Sequence, residues 1–273
     1  MIPVDEAEFA ELTRKISQGS GFTLEAYKDK CIRRRIAVRM RACGVHTYAD
    51  YRTLLDATPD EYDRLRDALT INVTRFYRNP EAWNLLRSEL VPGLCERHQG
   101  ELRVWSAGCS SGEEAYTAAA LFTEYFEREG RPDQARRVVI DATDVDRISL
   151  DRARAGRYRI EAAVDMPAEL TQGFLERDGE EYRVAERVRR SVFVRRLDLS
   201  KELPPRRDYH LILCRNVVIY FDRPMQERLF QTFADALVPG GLLVLGKVET
   251  LFGPARDRMI LVDPRERVYR RPG

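Results

Sequence analysis

The stretch that decides the fold is Leu102-Arg103-Val104-Trp105-Ser106-Ala107-Gly108-Cys109-Ser110-Ser111-Gly112-Glu113-Glu114. Its apolar beginning predicts a buried strand, the segment between Gly108 and Gly112 predicts a tight turn, and the residues from Glu113 to Phe122 predict a helix. In open α/β sheets, a strand that leads through a glycine turn into a helix forms one wall of a ligand pocket. Small residues in the turn let the backbone approach a bound molecule closely. The stretch therefore predicts a nucleotide-like binding site in an α/β fold.

The spacing and charge of this turn narrow the class of ligand. The second glycine falls four residues after the first, so the pattern differs from the dinucleotide fingerprint, and it lacks the Gly-Lys-Ser/Thr ending of a P-loop. Glu113 and Glu114 at the helix start would repel a phosphate. We interpret Glu114 as an acid that serves the helix dipole. S-adenosylmethionine, with a sulfonium, an amino group and a ribose, suits such an acidic site.

The composition describes a globular protein without a strong charge bias. The chain has 273 residues, 44% hydrophobic and 33% charged, which suits one large domain or two smaller ones. A net charge of +2 gives no global indication of nucleic-acid binding. Three scattered histidines argue against a metal site, and five cysteines without C-x-x-C spacing suggest reduced thiols in the cytoplasm. The acidic N-terminus argues against a signal peptide, and no apolar run approaches the roughly 20 residues of a membrane span.

A basic helix is predicted in the N-terminal region, which has helical patterns from about residue 6 to residue 72. This helix covers residues 24–43, and its cations are Lys28, Lys30, Arg33, Arg34, Arg35, Arg39 and Arg41. Within the helix they face a single acid, Asp29, and such a dense face repels itself unless an acidic partner surface relieves it. One alternative to an acidic partner is that this basic face of the helix is simply exposed to solvent. A nucleic-acid site is another, although few aromatic residues are interleaved for base stacking.

A polar and aromatic segment, residues 70–80, separates the helical region from the α/β region. Its aromatic residues are expected in the core, whereas Asn72, Thr74 and Arg78 are better candidates for ligand contacts. An ordered linker with Arg78 in a salt bridge is the alternative. Asn79 is positioned to cap the following helix, which has a proline at its first position.

Two further strands end in polar side chains. The second strand of the α/β region ends at Asp144, where a carboxylate can accept hydrogen bonds from ribose hydroxyls, and Asp146 is placed to cap the next helix. Helix capping by Asp144 itself is the alternative. The strand 209–214 is followed by Arg215 and Asn216, at the end where such sheets place ligand-binding side chains. These strand ends predict three walls of one pocket.

The pattern changes between Tyr158 and Arg196. A hairpin is predicted around Asp178-Gly179, and residues 191–196 are a further strand candidate. We interpret this region as a small antiparallel β subdomain whose exposed edge is suited to binding a peptide by strand addition. Further along, Pro239-Gly240-Gly241 predicts a turn.

These segments resemble the chemotaxis receptor glutamate methyltransferases, the CheR-type proteins, over nearly the whole chain. The blocks that carry the resemblance are residues 72–78, 105–114, 142–146, 214–222 and the turn 239–241 with Leu245, Gly246 and Glu249. Methyltransferases in general share the glycine turn and the acid after the second strand, but not the Arg-Asn-x-x-x-Tyr-Phe-Asp pattern of the fourth block. The chain departs from the family's usual residues at Val73, Tyr77, Ala115 and Lys247-Val248.

The resemblance implies both the fold and the site. The implied fold is an all-helical N-terminal domain (1–70) and a class I S-adenosylmethionine-dependent methyltransferase domain of Rossmann-like α/β type (71–273). A small antiparallel β subdomain (about 160–196) is inserted in the second domain. The expected cofactor contacts are Asn72, Thr74, Arg78, Gly108, Glu113, Asp144, Asp198, Leu199, Arg215 and Asn216. Arg78 and Tyr220 are expected near the transferred methyl group.

The resemblance also implies the reaction and the partners. A methyl group would pass from S-adenosylmethionine to receptor glutamates, leaving S-adenosylhomocysteine and requiring no metal. The docking residues for the acidic methylation helices of a chemoreceptor would be Arg33, Arg34, Arg35, Arg39 and Arg41. The β subdomain is a candidate site for a receptor-tail peptide. A cytoplasmic monomer that neither binds nucleic acid nor inserts into the membrane is expected.

Two other classes of function stay open at this point. One is a class I methyltransferase that acts on RNA or a small molecule, although the Asn/Asp-Pro-Pro-Tyr/Phe motif of base amino methylation is absent. The other is a non-catalytic module that binds cofactor or receptor in a signalling pathway. The presence of Arg78, Asp144, Asn216 and Tyr220 argues against that module.

Overall fold

The computed structural model describes residues 6–20, 24–69 and 74–273, which fall into two compact units. The first unit comprises residues 1–71 and 219–226, and the second comprises residues 72–218 and 227–273. No helix among the described residues is both long and apolar enough to cross a membrane. All five cysteines are free thiols.

The first unit is helical. Its helices are α1 (Glu6–Ser20), α2 (Asp29–Ala42), α3 (Tyr48–Ala57) and α4 (Asp60–Leu69), with a 3-10 turn at Leu24–Ala26. Ile32, Ile36 and Met40 of α2 are buried at helical spacing and face the core of the unit. The predicted start of the basic helix at residue 24 is wrong, because Lys28 has a non-helical backbone (φ −59°, ψ 122°). The preceding Tyr27 forms an isolated bridge with Phe221.

The segment 219–226 joins the first unit through backbone and ring contacts. The Tyr27 and Phe221 rings lie with centroids 4.7 Å apart, and the Asp222 N–H donates to the Ala26 carbonyl at 2.9 Å. No local pattern in the sequence predicts this association, because the contacting residues are separated by nearly two hundred positions.

The rest of the chain alternates strands and helices. The strands are β1 (Leu102–Ala107), β2 (Val138–Asp144), β3 (Arg157–Arg159), β4 (Leu175–Asp178), β5 (Glu181–Val184), β6 (Val192–Arg196), β7 (Tyr209–Cys214), β8 (Leu237–Leu245), β9 (Ile260–Asp263) and β10 (Val268–Arg270). The helices are α5 (Pro80–Leu85), α6 (Val91–Arg97), α7 (Glu113–Arg128), α8 (Arg147–Ala155), α9 (Ala168–Phe174), α10 (Glu186–Arg189), α11 (Arg223–Ala236) and α12 (Pro254–Asp257). A π-helical turn, Leu86–Leu90, connects α5 to α6. Pro92 lacks the N–H that a regular helix would donate to the Ser88 carbonyl.

The main sheet of the second unit has the order β6-β2-β1-β7-β8-β10-β9. The strands from β6 to β8 are parallel, and β10 is antiparallel to both of its neighbours. On one side of β1 the sheet continues with β2 and β6, and on its other side it continues with β7 and β8. The order in which the chain adds strands therefore reverses at β1. Open α/β sheets bind ligands outside the carboxyl ends of the strands at such a point. The predicted α/β architecture is confirmed.

Two predicted features of the second unit need correction. The segment 191–196 is not part of the small sheet, because β6 pairs in parallel with β2 at the edge of the main sheet. The small antiparallel sheet has the order β3-β5-β4, and its third strand is Arg157–Arg159. The predicted turn at residues 239–241 lies inside β8 as an irregularity in its pairing with β7, where Gly240 has φ 78°. The hairpin around Gly179 is confirmed.

Candidate active site

The turn after β1 is fastened to the end of β2 by its own backbone. The N–H groups of Gly108 and Cys109 donate to the Thr143 carbonyl at 2.8 and 2.9 Å. Gly108 (φ 85°) and Gly112 (φ 96°) have left-handed backbones that L side chains rarely adopt. A Cβ on Gly108 would lie 2.4 Å from Val217 Cγ2, so packing within the protein also requires the glycine. Both N–H groups are used internally, which leaves them unable to form a phosphate-binding nest.

Asp144 joins this turn to the strand beside it. Its carboxylate accepts from the Ser110 N–H at 2.8 Å and the Asp146 N–H at 3.0 Å, one on each oxygen. Burial raises the pKa of Asp144, and the backbone donors act in the opposite direction. The residue is half-buried, and a carboxylate has enough lone pairs to accept from a ligand hydroxyl in addition to these backbone donors.

Asp146 performs the capping function that the sequence predicts. Its carboxylate accepts from the N–H groups of Ile148 and Ser149 at 3.3 and 3.2 Å, at the start of α8. The cap satisfies helix donors that have no partner inside the helix. Asp146 therefore caps α8, and α8 does not depend on the Asp144 carboxylate for capping.

Glu113 is buried and already surrounded by polar groups. The Ser111 hydroxyl lies 3.0 and 2.8 Å from its two carboxylate oxygens, and the Thr74 side chain also hydrogen-bonds to it. Burial raises the pKa of Glu113, and these hydrogen bonds oppose the increase. Two of the predicted cofactor contacts, Thr74 and Glu113, are thus brought together. Asn72, a third, lies outside the described residues.

Arg215 is the centre of a buried network. Its guanidinium donates to the Arg78 carbonyl at 2.8 Å, lies 3.7 Å from the Glu114 carboxylate, and has its central carbon 5.1 Å from the centre of the Trp83 ring. The side chain is 4% exposed, and its Nε has no hydrogen-bond partner among the described residues. Burial lowers the pKa of Arg215, and the charge of Glu114 opposes this effect. Arg215 therefore fixes the backbone of Arg78.

Two side chains have roles that differ from the sequence interpretation. Glu114 does more than serve the helix dipole: it accepts from the Ser106 hydroxyl at 2.8 Å and provides a countercharge for Arg215, which a buried cation requires. Burial raises the pKa of Glu114, and Arg215 opposes this increase. Asn79 precedes α5 as predicted but makes no capping hydrogen bond with its side chain. Its Oδ1 lies 3.4 Å from the Arg215 guanidinium.

Asn216 is held through its backbone by a residue to which the sequence patterns assign no role. It has a left-handed backbone (φ 61°), and its N–H donates to a Glu249 carboxylate oxygen at 2.8 Å. The Gly246 N–H donates to the same oxygen at 2.6 Å. The one sequence signal for Glu249 is its place in the fifth block of the resemblance.

Asp198 and Leu199 lie in the segment that follows β6, and this segment starts beside the end of β2. The Leu197 N–H donates to the Asp144 carbonyl at 2.9 Å, which anchors the start of this segment. Asp198 is buried and accepts from the N–H and the hydroxyl of Ser200 at 2.8 and 2.6 Å. Leu199 is half-buried. The Asp198 carboxylate shapes this turn in addition to any ligand contact.

Tyr220 belongs to the first unit, unlike the other predicted cofactor and catalytic residues that the structure describes. Its carbonyl accepts from the Lys28 N–H at 2.8 Å, and the residue is half-buried. Burial lowers the pKa of Arg35, and its electrostatic interaction with Tyr220 acts in the opposite direction. The two predicted catalytic residues, Arg78 and Tyr220, are therefore carried by different units.

Three of the five predicted docking arginines are engaged inside the first unit. Their partners are Asp29 (2.6 Å) and Glu6 for Arg33, the Ala68 carbonyl (2.5 Å) for Arg35, and Glu61 (2.5 and 2.7 Å) for Arg39. Asp29 is the single acid within this helix, and Glu6 and Glu61 from other helices pair with two of its arginines. Burial would raise the pKa of Glu61, but hydrogen bonds from Arg39 and Tyr51 bring it below its ordinary value.

The remaining docking arginines, Arg34 and Arg41, are exposed. Residues seven positions apart lie on the same face of a helix, and the exposed Lys30 lies one turn before Arg34. We call Lys30, Arg34 and Arg41 the basic stripe. None of the three has an ion pair with the described residues.

The ends of β1, β2 and β7 form an edge whose donors and acceptors suit S-adenosylmethionine. Asp144 can accept from ribose hydroxyls, and the nearby carboxylates of Glu113 and Glu114 favour a ligand with positive charge over a phosphate. Among the described residues, no group of three or more His, Cys, Asp or Glu side chains is placed to hold a metal ion.

Backbone strain is concentrated at this edge. Four of the five non-glycine residues with positive φ in the described chain are Tyr77, Asn79, Ser110 and Asn216, on the segments that form the candidate site. Such conformations persist where the surrounding structure enforces them, and they are common at functional sites. Asparagine tolerates this region better than most residues, which makes Asn79 and Asn216 the positions that sequence could have signalled.

Comparisons with known proteins cover both units. Residues 72–267 match a family model described as CheR methyltransferase, SAM binding domain, and residues 7–70 match one described as CheR methyltransferase, all-alpha domain. A chemotaxis protein methyltransferase of Listeria innocua is 33% identical over 256 residues, covering 93% of this chain and 94% of that protein. Chemotaxis protein methyltransferase 2 of Pseudomonas aeruginosa is 34% identical over 247 residues, covering 89% and 86%. A chemotaxis protein methyltransferase of Klebsiella aerogenes is 32% identical over 263 residues, covering 94% and 87%.

Proposed function

The chain belongs to the CheR methyltransferase family, and we propose that it methylates glutamate side chains on the cytoplasmic helices of chemoreceptors. Family membership establishes S-adenosylmethionine-dependent methylation in chemotaxis as its general activity. The observation that carries the proposal is the meeting of the glycine turn, Asp144 and Arg215-Asn216 at one edge of the sheet. In the proposed assignment, this edge binds the cofactor and the basic stripe binds the acidic receptor helices.

The cofactor contacts are assigned to the second unit. Asp144 accepts from the ribose hydroxyls, and Gly108 leaves room for the backbone to approach the ligand. Glu113 lies at the start of α7 and forms a side-chain hydrogen bond with Thr74. The other proposed cofactor contacts are Asn72, Arg78, Asp198, Leu199 and Asn216. Arg215 contributes mainly by holding the Arg78 backbone.

The reaction needs alignment more than proton transfer. When bound, S-adenosylmethionine supplies a methyl group on a positively charged sulfur. A surface glutamate, with a pKa of about 4.3, is already ionised at neutral pH and needs no general base. The bound cofactor would supply this methyl group to a glutamate oxygen, and the electron pair of the broken carbon–sulfur bond would remain on sulfur. The products are a glutamate methyl ester and neutral S-adenosylhomocysteine. Orientation of this kind contributes roughly 7–11 kcal/mol in favourable cases.

Arg78 and Tyr220 are the proposed residues that steer the substrate carboxylate. Arg78 has its backbone fixed by Arg215, and Tyr220 has its backbone fixed by Lys28, so both side chains start from rigid positions. A bidentate arginine pair would hold both carboxylate oxygens and reduce their nucleophilicity. We therefore assign Arg78 a looser contact that orients the carboxylate and leaves one oxygen available for attack.

The basic stripe is the proposed docking surface for the receptor. Exposed cations on one helix face attract an acidic helix and accelerate its association. Arg33, Arg35 and Arg39 shape this helix from within the unit. The small sheet β3-β5-β4 has open edges and is the proposed site for a receptor-tail peptide. The protein would act in the cytoplasm, because its proposed substrate helices are cytoplasmic, and we propose that it acts as a monomer.

The direct test is transfer of labelled methyl groups from S-adenosylmethionine to membranes that contain chemoreceptors. The proposal predicts label on the receptor that alkali removes, because carboxyl methyl esters hydrolyse in base. Alkali-stable label on RNA would contradict it and support the alternative methyltransferase class. Cofactor binding without transfer to any receptor would contradict it in favour of a non-catalytic signalling module.

A further inference from the structure

Glu249 is a buried carboxylate that has no part in the proposed methyl transfer. It is 4% exposed, and one of its oxygens accepts from both the Asn216 N–H (2.8 Å) and the Gly246 N–H (2.6 Å). Asn216 lies just past the end of β7, and Gly246 lies just past the end of β8. A single side chain therefore ties together the ends of two neighbouring parallel strands.

The space around this link leaves no room for adjustment. A Cβ placed on Gly246 would lie 2.7 Å from Glu249 Oε2, 2.8 Å from the Asn216 nitrogen and 2.9 Å from Asn216 Nδ2. Real Cβ atoms essentially never have contacts this close. The glycine at 246 thus allows the Glu249 carboxylate and the Asn216 side chain to approach the same backbone.

The link also explains how Asn216 keeps its backbone conformation. A non-glycine residue at φ 61° is strained unless its surroundings enforce it. Two backbone N–H groups converge on one Glu249 oxygen, and these hydrogen bonds supply that enforcement. Its negative charge also reaches the network beside Asn216, where it raises the pKa of Glu114.

We infer that Glu249 is a positioning residue for the cofactor: its carboxylate clamps the ends of β7 and β8 and thereby sets Asn216 in its binding conformation. The inference rests on the proposed function to the extent that Asn216 contacts S-adenosylmethionine. Glu249 itself acts through Asn216 and does not touch the reacting atoms.

The test is calorimetric titration of the full chain with S-adenosylmethionine, without a receptor. Glu249→Gln keeps an acceptor oxygen that can receive both N–H groups, so its Kd should stay within about threefold of the wild-type value. Glu249→Ala removes the acceptor, and its Kd should rise by about tenfold or more. In steady state, Glu249→Ala should raise the KM for S-adenosylmethionine more than it lowers kcat. A wild-type Kd for Glu249→Ala would overturn the inference, as would equal weakening by Gln and Ala.

A second pair of variants keeps the inference testable if Glu249→Ala does not fold. Gly246→Ala inserts a methyl group into the clamp and should also weaken binding by about tenfold or more. Gly173→Ala is the matched control, because a Cβ there meets nothing within 4 Å. If Gly246→Ala and Gly173→Ala bind S-adenosylmethionine with equal affinity, the proposed role of Glu249 is contradicted. Failure of the proposed function has a different signature: the wild type would bind the cofactor and leave receptor glutamates unmethylated.

Discussion

Single carboxylates determine how the ends of the strands are joined. Asp144 ties β2 to the glycine turn through the Ser110 N–H, Glu114 balances Arg215, and Glu249 ties β7 to β8. Each is wholly or partly buried and keeps partners in the protein. The candidate binding edge is therefore held by side chains that form hydrogen bonds with backbone N–H groups or a hydroxyl, and by an ion pair with a guanidinium.

Asp144→Asn should weaken S-adenosylmethionine binding by about tenfold or more. Backbone N–H groups point at both carboxylate oxygens, and an amide would turn its own NH2 group towards one of them. Titration calorimetry measures the effect. Asp146→Asn is the matched control, since asparagine remains a good N-cap and should leave the Kd unchanged. An unchanged Kd for Asp144→Asn would show that Asp144 is not a cofactor contact.

The partners of charged residues were the hardest feature to predict at this scale. Asp29 is the single acid that α2 offers its own cations, because Glu6 and Glu61 lie on α1 and α4. Glu249 gives no local signal, since its partner Asn216 is more than thirty positions away. By contrast, Asp146 could be assigned correctly because helix capping depends on positions two and three residues ahead.

At the scale of elements, local patterns predicted most strands and helices, and long-range pairing decided the rest. The strand–turn–helix of residues 102–122 and the hairpin at Gly179 are encoded by adjacent residues, and both are confirmed. The membership of β6 in the main sheet depends on its pairing with β2, about fifty residues earlier. From its sequence alone, the short strand β6 is compatible with either sheet. Its closeness in sequence to the hairpin led to the wrong prediction that it belongs to the small sheet.

The link between α2 and α4 should be a major source of stability in the first unit. Arg39→Ala would leave Glu61, which is 2% exposed, without its cation and should lower the free energy of unfolding by roughly 3–5 kcal/mol. Arg41→Ala removes an exposed arginine of the same helix and should change it by less than about 0.5 kcal/mol. Urea unfolding followed by circular dichroism compares the two. Equal stability of both variants would mean that the Arg39–Glu61 pair contributes little.

The basic stripe should govern receptor docking without affecting the cofactor. Arg34→Glu combined with Arg41→Glu should lower the rate of receptor methylation at limiting receptor by about tenfold at low ionic strength, and added salt should reduce the difference. The Kd for S-adenosylmethionine should not change. Arg136→Glu reverses an exposed charge in the second unit and serves as the control. A methylation rate equal to that of the control would exclude the stripe as the docking surface.

For the whole molecule, acid sensitivity should arise in part from a histidine pair near the beginnings of β1 and β7, whereas the candidate site lies at the other ends of these strands. The rings of His98 and His210 lie 4.4 Å apart, and His210 Nδ1 accepts from the Arg103 N–H at 3.1 Å. Burial, His98 and the Arg103 charge lower the pKa of His210 to about 4, while the Arg103 N–H bond and the charge of Glu101 oppose this. The folded state therefore favours the neutral form of His210.

The sign of the pH effect follows from that depressed pKa. An unfolded histidine has a pKa of about 6.5, so between about pH 6.5 and pH 4 the unfolded chain binds the proton first and stability falls as pH falls. His210→Asn keeps an acceptor for Arg103 and should flatten this part of the stability curve. Denaturant titrations from pH 7 to about pH 4 measure it. If the variant and the wild type lose stability in parallel, His210 does not contribute.

The proposed receptor methyltransferase has two units: one carries the candidate cofactor-binding edge, and the other carries Tyr220 and the basic stripe. The most direct test of that function is mass spectrometry of chemoreceptors after incubation with the protein and deuteromethyl-labelled S-adenosylmethionine. The predicted result is deuteromethyl ester on glutamates of the cytoplasmic receptor helices, lost on alkali treatment and strongly reduced with Asp144→Asn. Receptors that remain unlabelled, or label that withstands alkali, would contradict glutamate methylation.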